Sequence, residues 1–320
     1  MKYLVELPHH INDSNVPTVK KFYVNLLYQM EYENLQFDIK MKNVSTSILE
    51  NLLSVFQNKQ YSKAKYDYIF RYHTKIKDPK TINIKISYLP DYFYMDETGY
   101  SGWAKIANER PNFQKMKINK AEKFHEGLCK KYVEQNVSKY HQEDRNQNFS
   151  KYEPYVFIPT QVVDDEVADL AYVNIIDLLK EIPYKIQRQG FNVLIKRHPK
   201  CKSDKIKDIL SSLDDEEGIN VVKGSIHDII SSSSAVAVVN SGVGFEALLH
   251  LKPVINFGHC DYHWVTRTIK DKTANFEVNR VIENTDTTDI KKFLYFYLKE
   301  YLVDINSDED IRNKINEFSK

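Results

Sequence analysis

Apolar and polar positions alternate regularly in the second half of the chain, where short apolar runs are separated by stretches with helical spacing. The runs predict strands at residues 155–159, 191–196, 219–222, 235–239 and 253–257. The stretches between them predict helices at 164–179, 203–213, 226–231 and 243–250. Strands that alternate with helices form βαβ units with a parallel sheet. This half is therefore predicted to be a Rossmann-like α/β domain.

The first half has a weaker pattern of the same kind. Strands are predicted at 3–7, 66–72 and 82–89, and helices at 20–30 and 46–56, with a turn at 13–17. Next come a loop leading into a helix at 88–104, a long surface helix at 121–140 and a polar linker at 141–150. The linker divides the chain into domains 1–150 and 151–287, and the remainder, 288–320, is predicted to form helices at 288–302 and 308–318.

Composition narrows the class of protein. With 45 Lys and Arg against 44 Asp and Glu in 320 residues, the net charge is +1, which excludes a strongly basic nucleic-acid binder. No apolar run approaches the ~18 residues of a membrane span, and the apolar stretch at the N-terminus is too short for a signal peptide. Cys129, Cys201 and Cys260 have neither disulfide-framework nor zinc-site spacing, so we expect a cytoplasmic protein.

Two polar clusters directly follow predicted strands. In a parallel α/β sheet, ligands bind beyond the carboxyl ends of the strands, at a topological switch point. Thr160 and Gln161 follow the strand at 155–159, and Arg197 and His198 follow the strand at 191–196. Arg and His offer hydrogen-bond donors to a phosphate or carboxylate, although either cluster by itself is equally typical of a plain surface loop.

A third cluster marks a sharp turn from a buried strand into a helix. It contains Asn240, Ser241, Gly242 and Gly244, whose backbone N–H groups at a helix start suit a phosphate. Glu246, in the first helical turns, could accept hydrogen bonds from a ribose diol or merely favour the helix dipole. The pattern is neither a dinucleotide-binding fingerprint, nor a Walker A loop, nor a nucleophile elbow. The alternative is a well-capped core helix.

The segment from residue 96 to residue 103 differs from its surroundings. Asp96 and Glu97 precede two of only nine glycines in the chain, and three side chains suited to a sugar pocket stand among them: Tyr100, Ser101 and Trp103. This stretch is either an active-site loop or a solvated turn.

The order of these motifs resembles a known family. Pro159-Thr160-Gln161, Lys196-Arg197-His198-Pro199, Asn240-Ser241-Gly242 with Glu246, and Lys252-Pro253-Val254 with Gly258 are similar to the capsular polysaccharide biosynthesis glycosyltransferases. The closest resemblance is to the retaining β-Kdo transferases of capsule and lipopolysaccharide O-antigen synthesis, and it covers residues 155–265 best. It implies an α/β, GT-B-like fold: two Rossmann-like domains face a cleft, the C-terminal one holds the nucleotide, and a C-terminal helix packs back on the N-terminal domain.

The resemblance also implies a chemistry. The donor would be CMP-Kdo, and His198, the Ser241 hydroxyl and the N–H groups after Asn240 would neutralise the charge on CMP without a metal or other cofactor. Gln161 and Arg197 would be further donor contacts, although Arg197 could point away from the site. Asp96 would be the nucleophile, with Glu97 as the alternative nucleophile or a base.

Two alternative functions stay open at this point. A GT-B transferase or epimerase that uses a UDP-sugar, and a non-catalytic glycan-binding module of a capsule or O-antigen assembly protein, fit the same pattern. The partners would be a nucleotide-sugar donor and a glycan acceptor, lipid-linked in some such systems, which would bring the protein to the inner face of the cytoplasmic membrane. The histidines at 9, 10, 259 and 263 are not expected to bind zinc.

Overall fold

The computed structural model describes residues 1–11, 17–41 and 65–318. The turn predicted at 13–17, apart from residue 17, and the helix predicted at 46–56 lie outside the described residues. The chain forms two compact units. Unit 1 contains Met1–Lys105 together with Tyr297–Lys320, and unit 2 contains Ile106–Phe296.

The secondary structure is mixed α and β throughout. The strands are β1 (Lys2–Leu7), β2 (Gln36–Met41), β3 (Tyr68–Tyr72), β4 (Thr81–Ile86), β5 (Tyr92–Asp96), β6 (Tyr155–Pro159), β7 (Asn192–Lys196), β8 (Ile219–Val221), β9 (Ala235–Val238), β10 (Val254–Asn256), β11 (Arg267–Thr268) and β12 (Val303–Asp304). The α-helices are α1 (Pro17–Tyr32), α2 (Lys105–Asn108), α3 (Ile118–Leu128), α4 (Ile175–Gln187), α5 (Asp204–Asp214), α6 (Ile226–Ser232), α7 (Gly242–Leu249), α8 (Val278–Glu283), α9 (Thr287–Tyr295) and α10 (Asp308–Phe318).

Unit 1 is built on a six-stranded sheet in the order β12-β5-β4-β3-β1-β2. The strands from β2 to β4 are parallel, whereas β5 runs antiparallel to β4 and β12 antiparallel to β5. Alternate residues such as Tyr3, Phe70 and Ile82 face a core that α1 and α10 complete. Burial of this apolar face stabilises the unit, and its other face is available for polar side chains.

One row of paired residues on that other face positions a candidate site residue. Glu6 on β1 pairs with Arg71 on β3, Arg71 with Asn83 on β4, and Asn83 with Asp96 at the end of β5. Arg71 Nε lies 2.9 Å from Glu6 Oε2, and Asn83 Nδ2 donates to the Asp96 carbonyl oxygen at 3.0 Å. Because Glu6 and Arg71 each stand one residue before their strand ends, the row sets Asp96 level with the carboxyl ends of β1 and β3.

Unit 2 contains a fully parallel sheet in the order β11-β10-β9-β6-β7-β8. The chain leaves β6 towards β7 through α4, and it leaves β9 in the opposite direction towards β10 through α7. The carboxyl ends of β6 and β9 therefore flank the topological switch point, where ligands bind in sheets of this type. The five strands predicted for this half are confirmed within two residues.

The helix predicted at 164–179 is wrong at its start. The chain first makes a 3-10 turn at Glu166–Leu170, and the helix begins only at Ile175, where the Asn174 side chain accepts from the Asp177 amide. The amides of Tyr172 and Val173 donate to the Phe257 carbonyl oxygen, both at 2.9 Å. These tertiary hydrogen bonds hold the backbone away from a helical path, although the apolar spacing favours a helix.

Other predicted elements change as well. The predicted loop at 88–104 contains strand β5, and the long helix predicted at 121–140 ends its α-helical part at Leu128 before a π-helical turn, Cys129–Val133. The edge strand β2 was not predicted, because its alternation of exposed and half-buried residues lacks a clear apolar run. The helix predicted at 288–302 is α9 followed by a π-helical turn at Phe296–Tyr301.

The units divide the chain at residues 105 and 296, whereas the sequence placed the boundaries at 150 and 287. Helix α3, which lies in the predicted first domain, packs on α9, and both belong to unit 2. The predicted C-terminal helices consequently belong to different units: α9 lies in unit 2, and α10 packs on α1 in unit 1.

Candidate active site

The first two polar clusters form one surface at the carboxyl ends of β6 and β7. Thr160 Oγ1 accepts a hydrogen bond from the His198 amide at 2.9 Å, and the Thr160 amide donates to the Lys196 carbonyl oxygen at 2.9 Å. The strands themselves are parallel neighbours, with Pro159 paired to Lys196. The short sequence motifs after these strands therefore lie side by side, as the expected donor site requires.

His198 is oriented as a hydrogen-bond donor. The Lys200 amide donates to His198 Nδ1 at 3.1 Å, so in the neutral ring the proton lies on Nε2. Burial lowers the pKa of the half-buried imidazole, which favours this neutral form at pH 7. The ring also packs edge-on against Tyr140, with 5.1 Å between ring centroids. Its Nε2–H is the atom that can bind an oxyanion.

Arg197 makes a hydrogen bond to the residue that precedes α5. Its Nη2 donates to the Ser203 carbonyl oxygen at 3.1 Å, at the start of α5. This hydrogen bond holds the loop between β7 and α5, whereas the buried Arg197 Nε has no hydrogen-bond partner among the described residues. Arg197 thus has a structural contact. Its role as a contact of the nucleotide-sugar donor, which the family resemblance implied, stays a prediction.

The third cluster caps helix α7. Ser241 is the N-cap residue, and its Oγ accepts from the Val243 amide at 3.3 Å, which leaves the hydroxyl proton able to donate to a ligand. The helix starts at Gly242, directly after Asn240 and Ser241 at the end of β9. The Gly244 amide also donates to Ser241, at its carbonyl oxygen at 3.0 Å, so of the first three N–H groups of α7 that of Gly242 alone makes no hydrogen bond to the described residues.

Three buried oxygen atoms near this edge accept no hydrogen bond from the residues that the structure describes. They are Gln161 Oε1, Asn240 Oδ1 and Glu246 Oε1, on side chains that are 7%, 2% and 3% exposed. The orientation of the Asn240 amide is fixed, because its Nδ2 donates to the Val167 carbonyl oxygen at 2.7 Å. Buried acceptors of this kind cost free energy unless a donor reaches them. All three residues were predicted from the sequence as contacts of the nucleotide-sugar donor.

Glu246 combines burial with nearby positive charge. Burial raises the pKa of its carboxyl to about 7. A hydrogen bond from Ser138 and the charges of Lys139 and Lys196 lower the pKa, but by less than burial raises it. A carboxyl that titrates near neutral pH in a ligand-binding edge is typical of functional sites. The contribution of Ser138 and Lys139 was missed from sequence, since they lie in a polar stretch without a motif.

Asp96, in unit 1, is buried and tightly held. Its side chain is 4% exposed at the end of β5. Oδ1 accepts from the amides of Thr98 at 2.7 Å and Gly99 at 2.9 Å, and Oδ2 accepts from the Lys105 amide at 3.2 Å and from the Tyr301 hydroxyl. A carboxylate fixed in this way is pre-organised for one reaction geometry. Tyr301 was missed from sequence, because no motif links it to residue 96.

Glu97 differs from its neighbour. Its side chain is 46% exposed, and it lies 3.7 Å from Lys105 Nζ in a surface ion pair. Nothing holds this carboxylate in one orientation as the backbone amides hold Asp96. Of the two adjacent acids, the geometry favours Asp96 as the group that acts on a substrate.

The predicted sugar-pocket residues surround the same loop. Tyr100 lies against Trp103 with ring centroids 5.5 Å apart, and Lys75 Nζ lies 3.9 Å from the Trp103 ring centroid. Ser101 adopts a left-handed conformation with φ of 52°, and its Oγ lies 3.0 Å from the Tyr88 hydroxyl. A Cβ on Gly99 would lie 2.8 Å from Trp103 Cβ, so this turn needs glycine. Tyr100 and Ser101 are each only 4% exposed, so the contacts described here are with the protein itself, and the sugar-pocket role stays a prediction.

The histidine pairs behave as aromatic contacts. His9 and His10 have ring centroids 4.8 Å apart, and His259 and His263 have centroids 5.1 Å apart. Across residues 1–11, 17–41 and 65–318, no three His, Cys, Asp or Glu side chains are arranged to hold a metal ion. In the same described ranges, no helix has the length and apolar character of a bilayer span.

Two α/β units on parallel-dominated sheets, with polar side chains gathered at their carboxyl edges, define a GT-B-like fold. The chain belongs to the capsule polysaccharide biosynthesis family: the model of the family described as "Capsule polysaccharide biosynthesis protein" matches residues 95–296. The match includes Asp96 and all the donor-site candidates of unit 2.

Two solved structures are similar to nearly the whole chain. Thermosulfurimonas dismutans KpsC, beta Kdo 2,4 transferase, has a TM-score of 0.56 at 15% identity, covering 97% of each chain. Thermosulfurimonas dismutans KpsC, beta Kdo 2,7 transferase, has a TM-score of 0.52 at 14% identity, covering 98% of this chain and 100% of that one. At these identities the likeness concerns the fold. No curated protein matches the sequence.

Proposed function

We propose that the protein is a retaining glycosyltransferase that moves Kdo from CMP-Kdo to a glycan acceptor in capsule polysaccharide synthesis. The observation that carries the proposal is a group of three buried hydrogen-bond acceptors at the switch point of unit 2: Gln161, Asn240 and Glu246. His198 supplies a hydrogen-bond donor at the same edge of the sheet. The names of the two similar KpsC structures, both β-Kdo transferases, support the choice of sugar.

The nucleotide occupies the carboxyl edge of the sheet in unit 2. Glu246 accepts hydrogen bonds from the ribose diol, and its raised pKa reflects a carboxyl that is buried before the diol binds. Asn240 Oδ1 and Gln161 Oε1 accept from further donors of the nucleoside. The exocyclic amine of cytosine is such a donor, whereas the corresponding atom of uracil is an acceptor. Unsatisfied acceptors in the site therefore favour CMP over UDP.

Departure of CMP is assisted by donors of the protein. As the bond from the anomeric carbon to the phosphate oxygen breaks, negative charge grows on CMP. His198 Nε2–H, the Ser241 hydroxyl and the Gly242 N–H at the start of α7 stabilise that charge. In this proposal the reaction uses no metal or other cofactor.

Asp96 is the nucleophile of the proposed reaction. Its carboxylate attacks the anomeric carbon, and the acceptor hydroxyl then displaces it, so two inversions give net retention. Tyr100 and Trp103 shape the sugar pocket beside it, with Ser101 completing the turn. The acceptor is a glycan carried on lipid, so the protein works in the cytoplasm at the inner face of the membrane, near other capsule assembly proteins.

The first experiment measures thermal stabilisation of the protein by CMP, with UDP, GDP and ADP as controls. A ligand of the folded state raises the midpoint by mass action, so a shift with CMP alone is expected. A shift with UDP instead of CMP would indicate that the donor substrate is a UDP-sugar. The absence of any nucleotide shift would favour a non-catalytic glycan-binding module.

Transfer itself is tested by incubating CMP-Kdo with Kdo-bearing oligosaccharides and following CMP release and product mass. The Glu246→Ala variant is the matched control, because it removes the ribose contact and leaves the Asp96 loop intact. Wild-type transfer that the variant loses supports the proposal. Equal rates for both proteins would refute this nucleotide site.

A further inference from the structure

Strand β5 and the π-helical turn Phe296–Tyr301 are joined by two hydroxyl contacts. The Tyr94 and Tyr297 hydroxyls lie 2.6 Å apart, and the Tyr301 hydroxyl donates to Asp96 Oδ2. Residues two apart on a strand are separated by about 6.7 Å, and the ring centroids of Tyr297 and Tyr301 lie 6.1 Å apart. The two spacings match, so the turn presents one tyrosine to each of the two strand residues that face it.

The two oxygens of Asp96 share the Lys105 amide, at 3.3 and 3.2 Å, and otherwise have different partners. Oδ1 accepts from the Thr98 amide and hydroxyl, both at 2.7 Å, and from the Gly99 amide at 2.9 Å, all within its own loop. Oδ2 faces the Tyr301 hydroxyl, with a longer contact to the Lys105 amide at 3.2 Å. Oδ1 is therefore the anchoring oxygen, and Oδ2 is the oxygen that points away from the loop.

The two tyrosines have different surroundings. Tyr297 is fully buried and contacts another tyrosine hydroxyl, which is a packing arrangement of the unit 1 interior. Tyr301 is only half-buried, and its hydroxyl bonds to the charged group of the proposed site. π-helical turns of this kind often occur at functional sites. Tyr301 also lies beyond the family match, which ends at residue 296.

We propose that Tyr301 is a positioning residue for Asp96, which holds Oδ2 for attack and stabilises the carboxylate when it leaves. This inference rests on the proposed function. In the first step, an Oδ2 electron pair forms the bond to the anomeric carbon, and the electrons of the broken bond go to the CMP phosphate. In the second step, the acceptor oxygen bonds to the anomeric carbon, its proton passes to solvent, and the electrons of the Asp96 ester return to Oδ2.

A hydroxyl that donates to Oδ2 acts mainly in the second step. It stabilises the negative charge that returns to Asp96, so its loss makes the carboxylate a poorer leaving group. Its removal should therefore slow breakdown of the covalent glycosyl-enzyme more than its formation. A merely structural tyrosine would change stability without changing the balance between the two steps.

The test compares Tyr301→Phe with Tyr297→Phe, which removes the neighbouring hydroxyl from the same turn. For each protein, kcat and the donor KM are measured, and intact mass spectrometry quantifies the covalent sugar adduct at steady state. For Tyr301→Phe we expect kcat to fall by about ten- to a hundredfold, the loss of a hydrogen bond to a charged group, with an increased adduct fraction and no rise in donor KM. Tyr297→Phe should lower the melting temperature without adduct accumulation.

Two negative results have different meanings. If the wild type transfers sugar but Tyr301→Phe matches Tyr297→Phe in kcat and adduct fraction, Tyr301 has no positioning role and only this inference is overturned. If the wild type neither transfers sugar nor forms an adduct with CMP-Kdo, the proposed function is refuted and this inference falls with it. Circular dichroism of each variant separates loss of folding from both results.

Discussion

The Tyr262 hydroxyl donates to the Ser241 carbonyl oxygen at 2.6 Å, directly beneath the turn where β9 becomes α7. Gly244 makes this contact sterically feasible, because a Cβ at that position would lie 2.5 Å from the Tyr262 hydroxyl oxygen and 3.0 Å from Val238 Cγ2. The second glycine of the cluster therefore serves close packing rather than direct approach to a ligand. The N-cap Ser241 is held in place from below by this tyrosine.

We expect Gly244→Ala to destabilise the protein by about 1–3 kcal/mol, since overpacking forces Tyr262 or the helix to move. Gly127→Ala is the matched control, because a Cβ there meets no atom within 4 Å and Gly127 lies in helix α3. That change should stabilise the protein by about 0.5–1 kcal/mol. Urea denaturation of both variants measures the difference. Adding Tyr262→Phe to Gly244→Ala should recover part of the loss, and strict additivity would argue against a direct clash.

Nucleoside binding should depend on pH through Glu246. Its pKa is raised from 4.5 to about 7 by burial, so in the free protein the carboxyl is largely protonated at pH 6 and largely ionised at pH 8. If the ribose diol binds the ionised form, the affinity for cytidine should rise about tenfold over that interval. Cytidine is the proper probe, because the phosphate of CMP itself titrates near pH 6. Titration calorimetry at several pH values measures the effect.

The same pKa shift has a consequence for stability. Between pH 4.5 and about 7 the folded protein retains a proton that the unfolded chain has released, so this group lowers stability as the pH rises through that range. Glu246→Gln should abolish this loss and also flatten the pH dependence of cytidine binding. A variant with unchanged pH dependence would show that another group titrates.

The two adjacent residues after β7 should have separable effects. His198→Ala removes the Nε2 donor and is expected to lower kcat by roughly a hundredfold, in line with the loss of one donor to a developing charge. Arg197→Ala breaks the contact to the Ser203 carbonyl oxygen and should lower the melting temperature, with donor KM within about threefold of wild type. Steady-state kinetics and melting curves of both variants test this division. A large rise in donor KM for Arg197→Ala would show a direct donor contact.

Asp96→Asn should lower turnover by about a thousandfold or more, as loss of a nucleophile does, and leave CMP binding unchanged. The adjacent Glu97→Gln is the control, since the Glu97 side chain is exposed and held only by a surface ion pair with Lys105. Its rate should stay within about threefold of wild type. CMP release is the readout for both. The reverse ranking of the two variants would move the nucleophile to Glu97.

The sequence predicted unit 2 well because local and tertiary signals agree there. Short buried apolar runs such as residues 235–239 are typical of a central parallel strand. Ser203 and Ser241 mark the starts of helices, because their side chains cap the first turn. The failure at 164–179 came from hydrogen bonds between the amides of Tyr172 and Val173 and the distant Phe257 carbonyl oxygen. Such long-range competition leaves no trace in local periodicity.

The site was predictable only in part for a related reason. Gln161, Asn240 and Glu246 follow recognisable strands, so their approach to one edge follows from the topology. The sequence predicted a loop where strand β5 lies, because this five-residue strand of three aromatics, one Met and one Asp is flanked by acids and turn residues. Tyr301 is 205 positions from Asp96, and the contact between them depends on a strand and a turn that the sequence pattern did not resolve.

Unit 1 is assembled from both ends of the chain, with unit 2 inserted between them, and this determines the order in which the protein is made. A ribosome translates the last residue of unit 2, Phe296, before it reaches Tyr301, β12 and α10. The whole sheet of unit 2 is therefore made before the sheet that carries Asp96 receives its last strand. Under the proposed function, a premature stop after Phe296 would keep every residue proposed to bind the nucleotide and would remove Tyr301, so we expect such a protein to sequester the donor without using it.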